Sequence, residues 1–271
     1  MSHRAALLAA ACLLACGATP ALAQETLADP WEGTNRQLFA LHEGIDQAVL
    51  EPAARGYRAA TPGFFRTGVT NFLRNLRGPV VLANDLLQGE LPRAGTTAAR
   101  FGINTTIGLG GLVDVADRFG FEHHDEDFGQ TLAVWGVEPG PYVFVPVLGP
   151  STVRDSFGRV IDTALSPLTW AEFDGETEFG ATRGVLTGLS ARESLLETID
   201  GVRASSFDPY VDFRVGYALT RAAAIQNGRD DGQDSTNFNP SVDDEISAIS
   251  QGMEEPAAPA AEPTTTEPPQ N

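Results

Sequence analysis

Apolar residues recur at helical spacing along most of the chain. Leu38, Leu41, Ile45 and Val49 follow Asp29-Pro30-Trp31-Glu32, which places a capping carboxylate, a proline at the first helical position and a glutamate at the third. That spacing predicts a helix over about 30–49. Thr61-Pro62 opens a second, with Phe65, Val69, Phe72 and Leu76 on one face, and Asp208-Pro209 opens another that runs to Asn227-Gly228. Helical patterns also fit 79–88, 91–104, 155–165 and 185–199. The predicted class is mainly α, a bundle of amphipathic helices.

Two stretches break the pattern. Residues 132–150, LAVWGVEPGPYVFVPVLGP, are strongly apolar yet hold four prolines and three glycines. They cannot form a membrane helix, because each internal proline removes a hydrogen bond and costs about 3 kcal/mol. Short extended segments turning at Glu138-Pro139-Gly140-Pro141 are expected instead. The stretch fits a buried loop of a soluble core, or a loop at membrane depth packed against protein or lining a wet cavity. Thr105-Thr106-Ile107-Gly108-Leu109-Gly110-Gly111 has the outline of a phosphate-cradling loop, but no lysine follows and no dinucleotide-binding unit surrounds it. It reads as a tight turn between helices.

The ends divide the 271 residues into three materials. Residues 1–23 carry an apolar run too short to cross a bilayer and close on small residues, the pattern of an export signal. Two processing routes fit: cleavage after Ala21-Leu22-Ala23, giving a start at Gln24, or lipidation of Cys16 in the lipobox-like Leu13-Leu14-Ala15-Cys16. Either route leaves no pair of cysteines for a structural disulfide. Residues 230–271 hold ten acidic residues and no basic one and end in PAAPAAEPTTTEPPQN, the composition of a disordered tail with a short helical pattern at Val242, Ile246 and Ile249. Residues 24–229 then carry 26 acidic residues against 17 arginines, so the folded part is mildly acidic although the whole chain stands at −18. That balance excludes a basic nucleic-acid binder. All 18 basic residues are arginine, which reads as compositional bias and is assigned no function.

Catalytic residue types crowd only at His123-His124-Asp125-Glu126-Asp127. Adjacent residues do not offer the i, i+4 pair of a zinc helix, and the cluster reads as a charged loop capping the next segment. Arg154-Asp155 is expected to open a helix, its carboxylate at the positive end of the dipole. No nucleophile, base and oxyanion site assemble, so the chain reads as a non-enzyme without a cofactor or metal. An exported helical chain with apolar loops suits a protein that lies in or against a membrane and handles a hydrophobic ligand; it equally suits a soluble helical domain.

Read in order, the segments DPWEGTNRQLFALHEGID (29–46), PAARGYRAATPGFFRTGVTNFLRNLRGPVVLANDLLQGE (52–90), RFGINTTIGLGGLVDVADRFGF (100–121) and HDEDFGQTLAVWGVEPGPYVFVPVLGPSTVRD (124–155), with DPY at 208–210, resemble the MlaA/VacJ family of outer-membrane lipid-asymmetry proteins. The resemblance covers about 200 residues. It implies a ring-like helical protein on the periplasmic side of the outer membrane, with a central amphipathic passage. Through that passage, phospholipids misplaced in the outer leaflet would reach a periplasmic carrier of the MlaC type, and a trimeric porin would be a membrane partner. It implies structural roles for Asp29, Pro30, Asn35, Arg36, Phe39, Asn84, Asp85, Phe128, Gln130, Arg154 and Asp155. Gly108, Gly110, Gly111, Val137, Tyr142 and Val145, in the two apolar loops, become candidates to line the passage.

Two positions depart from the family pattern. His42 stands where asparagine is usual after the aromatic motif of the first helix, and Leu14 makes the lipobox weak. Two other readings remain: a soluble periplasmic binding or scaffold protein, and a metal-dependent envelope hydrolase using His123, His124 and Asp127.

Overall fold

The chain enters its first helix later than Asp29-Pro30 suggests. In the computed structural model, which describes residues 27–227, Pro30 and Trp31 form a turn and helix α1 spans Glu32–Ile45. Asp29 does not cap it: the carbonyl of Asp29 takes the Glu32 N–H at 3.3 Å, while its carboxylate turns to residues far along the chain. The helix runs on through a π-helical turn, Asp46–Leu50, into α2, Glu51–Ala60.

Helix α3 spans Gly63–Gln88 without interruption. The sequence predicts two helices here, 61–76 and 79–88, and the structure corrects this, since Pro79 lies inside α3. Helix α4, Leu91–Thr106, packs along α3. Gly78, beside the proline, permits the contact: a Cβ there would stand 3.1 Å from the Phe101 ring. The reversal between the two helices is made by Gly89, whose φ of 82° only glycine adopts without strain.

After a single 3₁₀ turn, Asp117–Phe119, helix α5 covers Phe128–Val134, and Asp127 caps it by accepting the Gln130 N–H at 2.9 Å. Strand β1, Tyr142–Val145, pairs antiparallel with β2, Gly149–Thr152, with Tyr142 opposite Thr152 and Val145 opposite Gly149. The extended segments are therefore present, but they turn at 146–148, with Val147 at φ 71°, and not at Glu138-Pro139-Gly140-Pro141. Thr152 then caps α6, Val153–Leu165, by accepting the Asp155 N–H, so Arg154-Asp155 opens a helix as expected. A 3₁₀ turn at Pro167–Thr169 leads to α7, Glu176–Ser194, α8, Leu196–Ser205, and α9, Pro209–Asn227. The pattern at 185–199 is thus two helices broken at Leu195. Processing at Cys16 or after Ala23, and the tail from 230 onward, lie outside the described residues.

An aromatic cluster joins the first helix, the hairpin and the last helix. Phe39 meets Phe144 and Tyr210 edge-on at 5.3 and 5.7 Å, around buried Tyr142. Elsewhere the usual distribution is inverted. Polar and charged side chains outnumber hydrophobic ones among the buried residues described, while Phe64 is 81% exposed, Trp170 73% and Leu109 71%. No described helix is long and apolar enough to cross a membrane.

Candidate functional site

Many interior positions of these helices are polar, and the side chains there meet partners far along the chain. Asn35 lies buried on α1, and its amide works as a third strand. Its Nδ2 donates to the Tyr142 carbonyl at 3.0 Å and to Asp29 at 2.8 Å, and its Oδ1 accepts the Phe144 N–H at 3.0 Å. Asp29 is closed from the other side by the Tyr210 hydroxyl and by Arg214 at 3.3 Å. Arg36 forks onto Asp208 at 2.7 and 3.1 Å and covers the Tyr210 ring. Asp29, Asn35, Arg36 and Phe39 are thereby brought into one assembly, with Pro30 in the exposed turn beside it.

His42, the departure from the asparagine pattern, takes a defined hydrogen bond. Its Nδ1 accepts the N–H of Val147, the residue at the tip of the hairpin, at 3.1 Å, and its ring lies 5.3 Å from Phe144. Burial pushes its pKa below the ordinary 6.5 against the opposing charges of Asp46 and Glu43.

A second assembly forms on α3. Asn84 donates to Asp162 at 2.9 Å and accepts from the Thr131 hydroxyl at 2.8 Å, and Asp162 in turn accepts the Phe128 N–H. Asp85 takes the Thr97 hydroxyl at 2.6 Å and faces His124 Nε2 at 3.1 Å. A third assembly centres on Arg221 of α9, which forks onto Asp127 at 2.6 and 2.7 Å and reaches both oxygens of Asp155. Burial alone would raise the Asp155 carboxyl, but Arg221, with Arg154 and the Tyr217 hydroxyl, outweighs it and holds it at about 2. Gln130 lies buried beside this clamp, its N–H held by Asp127. In a fourth, Arg192 grips Asp46 at 2.7 and 2.8 Å, and Arg203 bridges Asp46, Glu43 and Glu51.

The sequence reading missed Arg192, Arg203 and Arg221. An all-arginine composition carries no positional signal, and Arg221 pairs with Asp127 across 94 positions. Planar guanidinium forks suit such buried bidentate pairs.

The passage candidates separate. Val137 is exposed and Val145 half-buried. Tyr142 is fully buried in the aromatic cluster, so it packs the core and does not face outward as its sequence reading expects. Gly108 and Gly111 are buried as well: a Cβ on the first would collide with the Val113 and Asn104 backbone, and on the second with Asn75. They let the loop wrap closely and are packing residues. Gly110, at φ 72°, has open space beside it, and around it Ile107, Leu109 and Leu112 project outward. His123, His124 and Asp127 do not converge: they face Asp125, Asp85 and Arg221 respectively. No group of three His, Cys, Asp or Glu among the described residues is placed to hold a metal ion.

Comparison with known proteins matches this architecture. A family model described as "MlaA lipoprotein" matches residues 27–224. The intermembrane phospholipid transport system lipoprotein MlaA of Escherichia coli K12 is 35% identical over 212 residues, covering 76% of this chain and 81% of its own. The protein of the same name from Haemophilus influenzae is 31% identical, covering 74% and 80%. An uncharacterised protein of Rickettsia typhi is 35% identical, covering 73% and 78%. A solved structure described as "Structural basis for maintenance of bacterial outer membrane lipid asymmetry" superposes with a TM-score of 0.65 at 34% identity, covering 73% of this chain and 99% of that one.

Proposed function

Because the chain belongs to the MlaA lipoprotein family, we propose that it works in intermembrane phospholipid transport, removing phospholipids misplaced in the outer leaflet of the outer membrane. It passes them without chemical change to a periplasmic carrier of the MlaC type. The observation that carries this reading is the inverted polarity of the described residues. Arg192, Asp46, Asn84 and Asp85 are buried, whereas large apolar side chains stand on the surface although no described helix is long and apolar enough to cross a membrane. In water such a surface is costly; among acyl chains it is the favoured arrangement. A lipid in transit needs a polar route for its headgroup beside an apolar route for its tails, and polar groups beneath an apolar surface support that reading.

On this reading the protein works on the periplasmic side of the outer membrane, with Val137, Val145 and the exposed loop around Gly110 beside the lipid path and a trimeric porin as its membrane partner. Deleting the gene in the native host is expected to raise surface-accessible phospholipid and sensitivity to detergent and chelator, restored by the full chain. An unchanged outer leaflet in that mutant overturns the reading. Intact-mass measurement of the mature protein distinguishes a Gln24 start from a lipidated Cys16.

A further inference from the structure

Amphipathic helices that pack side by side ordinarily close on leucine and valine, but the crossing of α3 and α4 is polar. Asn71, Arg74 and Asn75 of α3 face Arg100 and Asn104 of α4 across a cavity of about 40 Å³, closed by Asp114, His123 and His124. A space of this size takes a few waters or one phosphate-sized group, and excludes a whole lipid.

Among the lining side chains two arginines, Arg74 and Arg100, stand against one carboxylate, Asp114. Arg100 is engaged by Asp114 at 2.6 Å and by the Phe121 carbonyl, and Asp114 also accepts from Asn104. His124 faces Asp85 at 3.1 Å and His123 faces Asp125 at 3.4 Å. Arg74 differs: it stands exposed at the rim, makes no ion pair or hydrogen bond among the described residues, and adds its field to the stronger hold of His123 on Asp125. Its neighbour Asn71 reaches only the Leu112 carbonyl, at 3.5 Å. An unpaired guanidinium and a loosely held amide therefore stand at a phosphate-sized opening. Phe101 lines the same cavity, and the exposed side chain of Leu112 lies beside Gly68, one turn before Asn71.

We propose that this cavity binds a phosphate group, presented as the phosphodiester of a phospholipid. Arg74 forks onto its oxygens, Asn71 donates to them, and the glycerol end leans on Phe101 and Leu112. This rests on the lipid-transport reading above and names the chemical group that the protein holds. The planar guanidinium of Arg74, exposed at the rim and unpaired, is free to turn two parallel N–H groups onto an oxyanion.

The full chain, purified in a neutral detergent, tests this by native mass spectrometry with three probes: dihexanoylphosphatidylglycerol, inorganic phosphate and dioctanoylglycerol. Arg74→Gln and Asn71→Leu are expected to weaken phosphatidylglycerol binding about tenfold, the effect of losing a charge-assisted hydrogen bond. Arg118→Gln, on the exposed 3₁₀ turn outside the cavity, is expected to bind as the parent does. Dioctanoylglycerol, which lacks the phosphate, is expected to bind all variants alike. Unchanged phosphatidylglycerol binding in R74Q overturns the site, as does an equal loss of dioctanoylglycerol. Capture of inorganic phosphate without phosphatidylglycerol assigns the cavity to a free anion and overturns the headgroup assignment. If R74Q loses phosphatidylglycerol while deletion of the gene leaves the outer leaflet unchanged, the site stands and the transport reading falls.

Discussion

Asn35 satisfies two backbone groups of β1 with one amide, a contact that closes 107 positions of sequence. Asn35→Leu would leave the Tyr142 carbonyl and Phe144 N–H buried and unpaired, at about 1–3 kcal/mol each. Urea unfolding is expected to show a loss of about 3 kcal/mol; a change within experimental error refutes the role. His42 carries a pH dependence. The unfolded chain takes up its proton near the ordinary 6.5, while the buried ring in the folded protein takes it only below that. Between those two values the unfolded state binds more protons, so stability falls as pH falls through this window. A proton on Nδ1 also removes the acceptor for the Val147 N–H. His42→Asn is expected to flatten the stability profile as pH falls below the ordinary 6.5, and an unaltered profile assigns the acid sensitivity to other groups. The sequence exposed His42 as a departure but gave no sign of its partner, because a hairpin tip 105 positions away lies beyond any local pattern.

Among the elements, those that begin at a proline were legible in outline, and those decided by distant packing were not. Asp208-Pro209 opens α9 and Arg154-Asp155 lies in the first turn of α6, since caps are local chemistry. Pro79 reads locally as a break, yet α3 continues through it, because α4 packs along its length and Gly78 lets Phe101 close against it. Pro-Gly-Pro likewise reads as the hairpin turn, but the register is set by Asn35 and by Gly149 opposite Val145. The clamp that Arg221 forms between α5 and α6 is the clearest case of a relation absent from either segment alone. Arg221→Met removes one cation from two carboxylates and is expected to destabilise by about 3–5 kcal/mol. It is also expected to shift acid unfolding upward. The stability contributed by Asp155 is present above its ordinary 3.8 and lost as pH falls towards about 2; without Arg221 burial is opposed less, so the variant starts with less stability and less acid unfolds it. An unfolding midpoint unchanged in both pH and urea would remove the clamp from the account.

For the molecule as a whole, the sequence left open whether the apolar stripes face a core or a membrane, since both produce the same helical period. In the structure the stripes divide: Leu41, Val49 and Phe65 are exposed and Val69 is buried, while polar groups outnumber hydrophobic ones among the buried residues described and Phe64, Leu91, Ile107 and Trp170 also stand outside. A high-salt wash is expected to leave the mature protein in the outer-membrane fraction, and neutral detergent to release it. Release by salt alone means an association held by charge and overturns the acyl-chain placement. The aromatic cluster bears on how that experiment must be done. Tyr142, Tyr210 and Tyr217 are held well above the ordinary phenol value of 10.0 by burial, with Asp29 and Asp155 adding to it. Once pH rises past that value the unfolded chain ionises these phenols and the folded one does not, so the native state loses stability. Strongly alkaline carbonate, the usual stripping agent for peripheral proteins, therefore attacks the hinge of phenols between the first helix, the hairpin and the last helix. Protein recovered in an alkaline supernatant would report denaturation at these rings, whatever its bond with the lipid had been.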